Sequence, residues 1–232
     1  MKQYTVTGER AFTLFEILIS LFIFSIVMVT VFGSYQAVFS KTDAIEEGMD
    51  VYETVNNCLN RMSEDIKSAY IVLPPAYAKP QFDSEPDPYR MIGDSSFGGG
   101  GSFARFRFTS YAHMSLTKDN RNGIAAIVYY VSEGQDETYA LKRSDTLAPY
   151  PKYPRGFEAK ASDPVLCPNI KAFTLLYYDE EGMEHESWDS DSQEFKYASP
   201  AAVKITLEIG DEDHSLFFGT TVRIPVSREP VL

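Results

Sequence analysis

An uncharged, strongly hydrophobic run lies near the start of the chain. Between Ile17 and Ser40 no residue is charged, and residues 17–32 offer apolar side chains on every face of a helix. A helix of about 20 such residues spans the roughly 30 Å hydrocarbon core of a bilayer. The run therefore predicts a single membrane-spanning helix, with the transmembrane segment taken as residues 12–40.

Beyond this run the apolar positions become periodic, recurring at steps of three and four residues. They are Ile45, Met49, Tyr52, Val55, Leu59, Met62, Ile66 and Ala69. This spacing is typical of one apolar stripe on an amphipathic helix, predicted here over residues 41–73. Acidic residues such as Glu64 and Asp65 lie mostly off the stripe and are expected to face water or another subunit. Pro74 and Pro75 end the helix, because proline lacks the amide donor and disfavours helical angles before it.

The remainder of the chain has the pattern of a loop followed by strands. Residues 74–101 contain prolines and a run of four glycines, which predicts a long surface loop. A β-rich domain is then predicted over residues 102–232, with strands at 103–111, 124–132, 138–143, 170–178, 202–209 and 215–226. Acidic, glycine-containing turns between these strands suit antiparallel hairpins. The predicted fold class is α+β, an antiparallel β-sheet packed on one long N-terminal helix.

Composition and charge narrow the class of protein. The 232 residues are 44% hydrophobic and 14% aromatic, which excludes a wholly disordered chain. With 33 acidic and 21 basic residues the net charge is −12, which repels phosphate backbones, so no nucleic-acid partner is predicted. Lys2 and Arg10 precede the span, and the acidic bulk follows it. This bias places the N-terminus in the cytoplasm and, in a bacterium, the bulk in the periplasm beyond the inner membrane.

The residues around the start of the span do not form an ordinary secretory signal. No small-residue cleavage motif follows the apolar run, whereas Ala11 lies before it. A lone carboxylate, Glu16, lies just inside the hydrophobic block. A charge costs about 2.5–3.5 kcal/mol at the centre of a membrane helix and less near the interface, so an intramembrane carboxylate is a functional candidate.

The segment from Gly8 to Glu16 resembles the class III signal of type IV pilins and type II secretion pseudopilins. The resemblance implies that residues 1–11 are a cytoplasmic leader, which a prepilin peptidase removes by cutting between Ala11 and Phe12, and that the new Phe12 amine is methylated. It also implies that Glu16 meets the Phe12 amine of a neighbouring subunit, where each desolvated charge finds a partner. The family usually has glycine at the position of Ala11, and a plain signal anchor is the alternative reading.

The second half of the chain resembles the J-type minor pseudopilins of the type II secretion system. The matching stretches are residues 124–143, Leu166 to Asp179, Gly182, Trp188–Asp189 and Ser199 to Ile209. The resemblance implies a pilin-like fold and a structural subunit of a pseudopilus tip complex that supports protein export across the outer membrane. Its implied partners are I- and K-type minor pseudopilins and the major pseudopilin. A minor type IV pilin is the nearer alternative.

The two cysteines of the chain are Cys58, on the predicted helix, and Cys167, before a predicted strand. An oxidising compartment permits a disulfide between them. Two buried thiols are the alternative, since spacing along the sequence does not show how closely the two Cα atoms approach.

Other candidate chemistry is weaker. Asp189, Asp191 and Glu194 resemble part of a calcium loop without its turn glycine, and His113, His185 and His214 lack metal-ligand spacing. We therefore predict no metal and no cofactor.

An enzymatic alternative comes from Gly93-Asp94-Ser95 with Asp211 and His214, which superficially match the nucleophile and base blocks of GDS-type ester hydrolases. Nucleophilic catalysis needs the serine on a rigid turn beside its base. Here the triplet follows a proline-rich loop, so coincidence is favoured. The prediction is a non-enzymatic protein without catalytic residues or a small-molecule substrate, and a membrane-anchored hydrolase is the distant alternative.

Overall fold

A computed structural model describes residues 13–81, 85–98, 101–114, 122–134, 138–148, 150, 157, 159–210 and 215–231. The chain divides into two compact units, Met1–Tyr52 and Glu53–Leu232. One long helix, α1 (Leu14–Lys67), begins in the first unit and ends in the second. The second unit, called the globular unit below, contains the β-strands.

The start of α1 is apolar and exposed. Its segment Leu14–Gln36 is long and apolar enough to cross a membrane, and none of it is buried against other parts of the protein. Among the described residues its side chains are uncovered, which is the state expected of a segment whose surroundings are lipid. The predicted N-terminal apolar helix is therefore confirmed over Leu14–Gln36.

The globular unit carries ten strands within its described residues. They are β1 (Ile92–Gly98), β2 (Gly101–Ser110), β3 (Ala125–Glu133), β4 (Tyr139–Leu147), β5 (Val165–Cys167), β6 (Ile170–Tyr178), β7 (Glu184–His185), β8 (Trp188–Asp189), β9 (Ala202–Gly210) and β10 (Ser215–Arg223).

These strands form one sheet with the order β10-β9-β6-β2-β3-β4-β5. Strand β1 pairs with β2 and β8, and β7 pairs with β6. The neighbours are antiparallel except β2 and β6, which are parallel and joined at Phe103 and Phe173. The predicted α+β class is confirmed, with this one parallel pair as a departure from an all-antiparallel sheet.

The core lies between the end of α1 and the inner face of the sheet. From the helix it takes Val55, Cys58, Leu59, Met62 and Ile66. From β9 it takes alternate residues, since Val203, Ile205 and Leu207 are buried, whereas β3 is buried continuously over residues 125–130. The predicted apolar stripe is wrong at its start, since Met49 and Tyr52 are 65% and 51% exposed. Periodicity marks a helix face, whereas burial also requires a surface packed against it.

Helix α1 ends at Lys67, before the predicted end at residue 73. The next residues pair with the end of β2: the amide of Tyr70 donates to the carbonyl of Thr109 at 2.8 Å, and the amide of Tyr111 donates to that of Ser68 at 3.0 Å. These bonds to a strand replace the next helical bonds. The prolines therefore lie beyond a helix end that tertiary pairing has already set.

The predicted loop over residues 74–101 is wrong in its last part, because β1 occupies Ile92–Gly98. Strand β1 runs antiparallel to β2 in a continuous register from Ile92 opposite Arg107 to Gly98 opposite Gly101. Its sequence is rich in glycine and serine, which have little preference for strands. The pairing with β2 outweighs this weak local preference, which is why the pattern alone did not indicate a strand.

Candidate functional site

The carboxylate of Glu16 lies in the first turn of α1 and is bound to the residue that precedes the helix. Its Oε2 atom accepts a hydrogen bond from the amide of Thr13 at 2.9 Å and another from the Thr13 hydroxyl at 2.9 Å. The amide of Glu16 in turn donates to Thr13 Oγ1 at 3.3 Å. This reciprocal pattern is a capping box, which satisfies amides at the start of a helix. Atom Oε1 takes no part in these bonds.

Polar side chains further along the span are bonded to the backbone of the helix. The hydroxyls of Ser20, Ser25 and Ser34 donate to carbonyls four residues earlier, at 2.7–2.8 Å, and that of Thr30 donates to Val27 at 2.8 Å. Such local bonds let hydroxyl groups enter a lipid environment without an unsatisfied donor. Glu16 is different, because its charge has no counter-charge among residues 14–36.

The two residues of the predicted cleavage site, Ala11 and Phe12, lie outside the described residues. The described part of the chain begins at Thr13, next to this position. Cleavage between Ala11 and Phe12, and methylation of Phe12, therefore stay predictions.

A buried polar cluster joins α1 to the sheet, and we call it the Asp65 cluster: Asp65, Arg61, Arg143, Tyr129 and Asp145. Asp65 is 0% exposed and Arg143 is 1% exposed. Arg143 binds Asp65 through Nε at 2.7 Å and Asp145 through Nη1 at 2.6 Å, while Arg61 reaches Asp65 at 2.6 Å. Tyr129 donates its hydroxyl to Asp65. The sequence pattern predicted that Asp65 faces water or another subunit, and its burial inside the globular unit shows that this expectation is wrong.

The surroundings of Arg143 and Tyr129 in the Asp65 cluster keep both side chains protonated. Burial opposes the charge on Arg143, but the hydrogen bond and charge of Asp65 outweigh it, so the pKa of Arg143 is raised. Burial and the Asp65 carboxylate raise the pKa of Tyr129 well above its usual value, so this hydroxyl stays a donor. Two arginines face two carboxylates, and the cluster is therefore balanced in charge as well as hydrogen-bonded. The residues next to Asp65 in the sequence do not indicate that it is buried, because its partners on the sheet lie far along the chain.

Cys58 and Cys167 meet inside the globular unit as two free, buried thiols. The Cys58 thiol donates a hydrogen bond to the sulfur of Cys167, which raises the pKa of Cys58, with burial adding to the effect. Accepting that bond lowers the pKa of Cys167. Spacing along the sequence does not show how close the two residues lie, and the structure places them in one interior as unbridged thiols.

Two of the acidic residues that resemble part of a calcium loop, Asp189 and Asp191, bind protein groups. Asp191 accepts bonds from the Tyr77 hydroxyl at 2.9 Å and the Asp87 amide at 3.0 Å, and Asp189 pairs with Arg90 at 3.4 Å. Within the described ranges no group of three or more His, Cys, Asp or Glu side chains is arranged to hold a metal. Glu194 lies in the same turn region and joins no such group.

The histidines that the structure describes each contact a carboxylate. His113 lies 2.6 Å from Asp145, and His185 lies 3.0 Å from Asp179. His214 lies outside the described residues. The two residues are far apart in the sequence, and each is bonded to a different acid.

The residues of the hydrolase alternative are only partly described. Gly93 and Asp94 lie in β1, not after a loop as the sequence suggested, and Asp94 pairs with Arg105 at 2.5 Å. Gly93 faces the buried ring of Tyr177. The Ser95 side chain, Asp211 and His214 lie outside the described residues. Strand β1 runs antiparallel to both of its neighbours, which is a different setting from the buried parallel strand that carries such a nucleophile.

Comparison with known protein families gives two matches that together cover most of the chain. Residues 7–32 match the prokaryotic N-terminal methylation motif, and residues 33–216 match the family described as type II secretion system (T2SS), protein J. No curated protein matches the chain. The first match includes Glu16 and its capping threonine, and the second covers well over half of the chain, from within the apolar helix into β10. The chain therefore belongs to the protein J family of the type II secretion system, and it is a minor pseudopilin.

Proposed function

We propose that this pseudopilin is a single-pass inner-membrane subunit of the pseudopilus tip complex, with a cytoplasmic N-terminus and a periplasmic globular unit. There it supports protein export across the outer membrane by structural contacts with I- and K-type minor pseudopilins and the major pseudopilin. The observation that carries the proposal is Glu16, a carboxylate in the first turn of a helix that is otherwise uncharged as far as Gln36.

The proposed orientation is supported by the distribution of basic residues. Lys2 and Arg10 lie before the span, on the short side that stays in the cytoplasm under the positive-inside rule. The globular unit follows the span and carries most of the acidic residues. The exposed apolar surface of Leu14–Gln36 needs lipid or neighbouring helices around it, which suits a subunit that moves from the membrane into a helical bundle.

Glu16 is proposed to recognise the freed amine of Phe12 on a neighbouring subunit. In the capping bonds, Oε2 accepts from the amide and the hydroxyl of Thr13, and both of these donors are neutral. The negative charge of the carboxylate therefore stays uncompensated. In an apolar surrounding that charge gains most from an ammonium group. Cleavage between Ala11 and Phe12 creates a terminal ammonium on Phe12. On an identical or related chain, this ammonium is the group that matches the Glu16 carboxylate.

The first prediction separates this charge pairing from helix capping. Glu16→Gln keeps a side chain that can complete a capping box but removes the charge. We expect the variant to insert and fold normally, and its co-purification with I- and K-type pseudopilins from detergent-solubilised membranes to fall about tenfold or more, the effect of losing one charge-assisted bond. Recovery is measured by quantitative immunoblot of the affinity-purified complex.

Thr13→Val is the matched control for Glu16→Gln, because it removes the capping hydroxyl and keeps the carboxylate. We expect it to co-purify with its partners nearly as well as the wild type. The pairing proposal is wrong if Glu16→Gln is recovered at the wild-type level. A loss that is equal in both variants would instead assign Glu16 to helix capping.

The second prediction concerns processing of the N-terminus. Mass spectrometry of the protein purified from membranes should find N-methylated Phe12 as its first residue, since the prepilin peptidase is proposed to cut after Ala11. Ala11→Leu should block cleavage because the larger side chain replaces a small residue at the cut, whereas Ala11→Gly restores the usual family residue and should be processed at least as fast. A purified chain that retains Met1 would contradict the proposal.

A further inference from the structure

The contacts of the Asp65 cluster place Cys58 over the edge of the sheet that contains Cys167. Cys58 lies seven residues before Asp65, which is two helical turns and the same face of α1. Asp65 binds Arg143 of β4 at 2.7 Å, and Leu141, two residues earlier and on the same face of β4, lies opposite Cys167 of β5. One face of the helix therefore runs along β4 and β5.

The two thiols meet in a dry interior. Cys58 is 2% exposed and Cys167 is 0% exposed, and each thiol acts on the pKa of the other, which makes the two side chains neighbours in this interior. The register of β4 and β5 shifts between Leu141 and Lys142, beside Cys167. Irregularities of this kind turn a side chain away from its regular direction.

We propose that Cys58 and Cys167 are joined by a disulfide in the cell, which ties α1 covalently to β5. The inference rests on the proposed periplasmic location of the globular unit, because disulfides form and persist in that compartment and not in the cytoplasm. Two thiols that folding brings together form the bond by losing two electrons and two protons.

The oxidant is a reactive disulfide, carried by a periplasmic protein or a small molecule. The thiolate of Cys167 attacks one oxidant sulfur and expels the other as a thiolate, giving a mixed disulfide. Cys58 then loses its proton and attacks the Cys167 sulfur, which releases the second oxidant thiolate. Two electrons pass to the oxidant, and its two thiolates take up the two protons. Both cysteines are buried in the folded unit, so the exchange takes place before α1 docks on the sheet.

The bond would close a loop of roughly a hundred residues. A crosslink of this length restricts the unfolded chain strongly in the chain-entropy model. Reduction of the purified protein should therefore lower its Tm by about 10 °C or more. In a variant with both cysteines replaced by serine, the same reductant should leave the Tm unchanged.

The decisive test counts free thiols in the full-length protein. Cells are quenched in acid, and the chain is denatured and treated with a maleimide-polyethylene glycol reagent before and after reduction. We expect no gel shift before reduction, two additions after it, and a monomeric band without reductant. Single Cys58→Ser and Cys167→Ser variants should each show one addition without reductant. Because labelling takes place in denaturant, the count does not depend on how well a variant folds.

A parallel measurement separates this inference from the proposed orientation. Protease is added to spheroplasts, and cleavage of the globular unit reports that it lies in the periplasm. If both cysteines react with the maleimide reagent before reduction and the globular unit is accessible to protease, the disulfide proposal is wrong and the proposed orientation stands. A protected globular unit with two free thiols would overturn both. A disulfide-linked dimer in place of the monomer would overturn the Cys58–Cys167 pairing.

Discussion

Replacing Asp65 with alanine should lower the free energy of unfolding by about 3–5 kcal/mol, the range for breaking a buried ion pair. The substitution leaves Arg143 without the carboxylate that it contacts through Nε at 2.7 Å, and it removes the acceptor of the Tyr129 hydroxyl. Both groups are buried, so water cannot replace the lost partner without opening the core. Urea denaturation of the purified full-length protein in detergent, followed by tryptophan fluorescence, measures the change.

Glu64→Ala is the matched control for Asp65→Ala, since Glu64 is the preceding residue on the same helix and is exposed. It should change stability by no more than about 0.5 kcal/mol. A joint replacement, Asp65→Leu with Arg143→Met, should cost less than Asp65→Ala alone, because it removes both charges of the most buried pair while Asp145 keeps its contact with His113. Equal stability of Asp65→Ala and Glu64→Ala would show that the Asp65 cluster does not hold α1 to the sheet.

Gly93→Ala should be the most damaging glycine substitution in β1, with a loss of about 3 kcal/mol, at the upper end of overpacking effects. A Cβ atom at residue 93 would lie 1.7 Å from the hydroxyl oxygen of Tyr177 and 2.3 Å from its Cζ atom. The Tyr177 ring is fully buried against Phe106 and Trp188, with ring centroids 5.6 Å and 6.4 Å away. It has no room to retreat, so the strand itself must move. Thermal unfolding followed by circular dichroism measures the loss.

Tyr177→Phe provides the control for Gly93→Ala. The Tyr177 hydroxyl has no hydrogen-bond partner among the described residues, so its removal alone should be close to neutral. Gly93→Ala should cost less in the Tyr177→Phe background than in the wild type, because the closest atom is gone while Cζ remains. Gly123→Ala, which meets only the tip of Leu147 at 3.3 Å, should have little effect. Purely additive costs of Gly93→Ala and Tyr177→Phe would contradict the proposed clash.

The elements with a strong local pattern were predictable from the sequence. The prediction of a strand at residues 170–178 agrees with β6 (Ile170–Tyr178), and the long uncharged run predicted the helix that begins α1. Both carry their signal in adjacent residues, either alternation or an unbroken apolar stretch. The family resemblance was likewise confirmed by matches over residues 7–32 and 33–216.

The features that depend on distant residues were not predictable. Strand β1 exists because β2 lies beside it, and Asp65 is buried because Arg143, far along the chain, supplies its counter-charge. The contact between the cysteines likewise depends on how α1 crosses β5. In the candidate site, Glu16 was identified from its unusual setting, while its capping bonds with Thr13 were not anticipated. Its partner amine on another subunit stays a prediction.

The parallel neighbours β2 and β6 form a seam between two halves of the sheet. Their backbones are paired at a single position, Phe103 with Phe173, whereas β6 and β9 are paired along most of their lengths. Cohesion across the seam therefore depends on side-chain packing, chiefly the aromatic contact between Phe106 and Tyr177, more than on a ladder of hydrogen bonds. Under mechanical load, we expect the halves to shear apart along this line before any of the antiparallel hairpins opens.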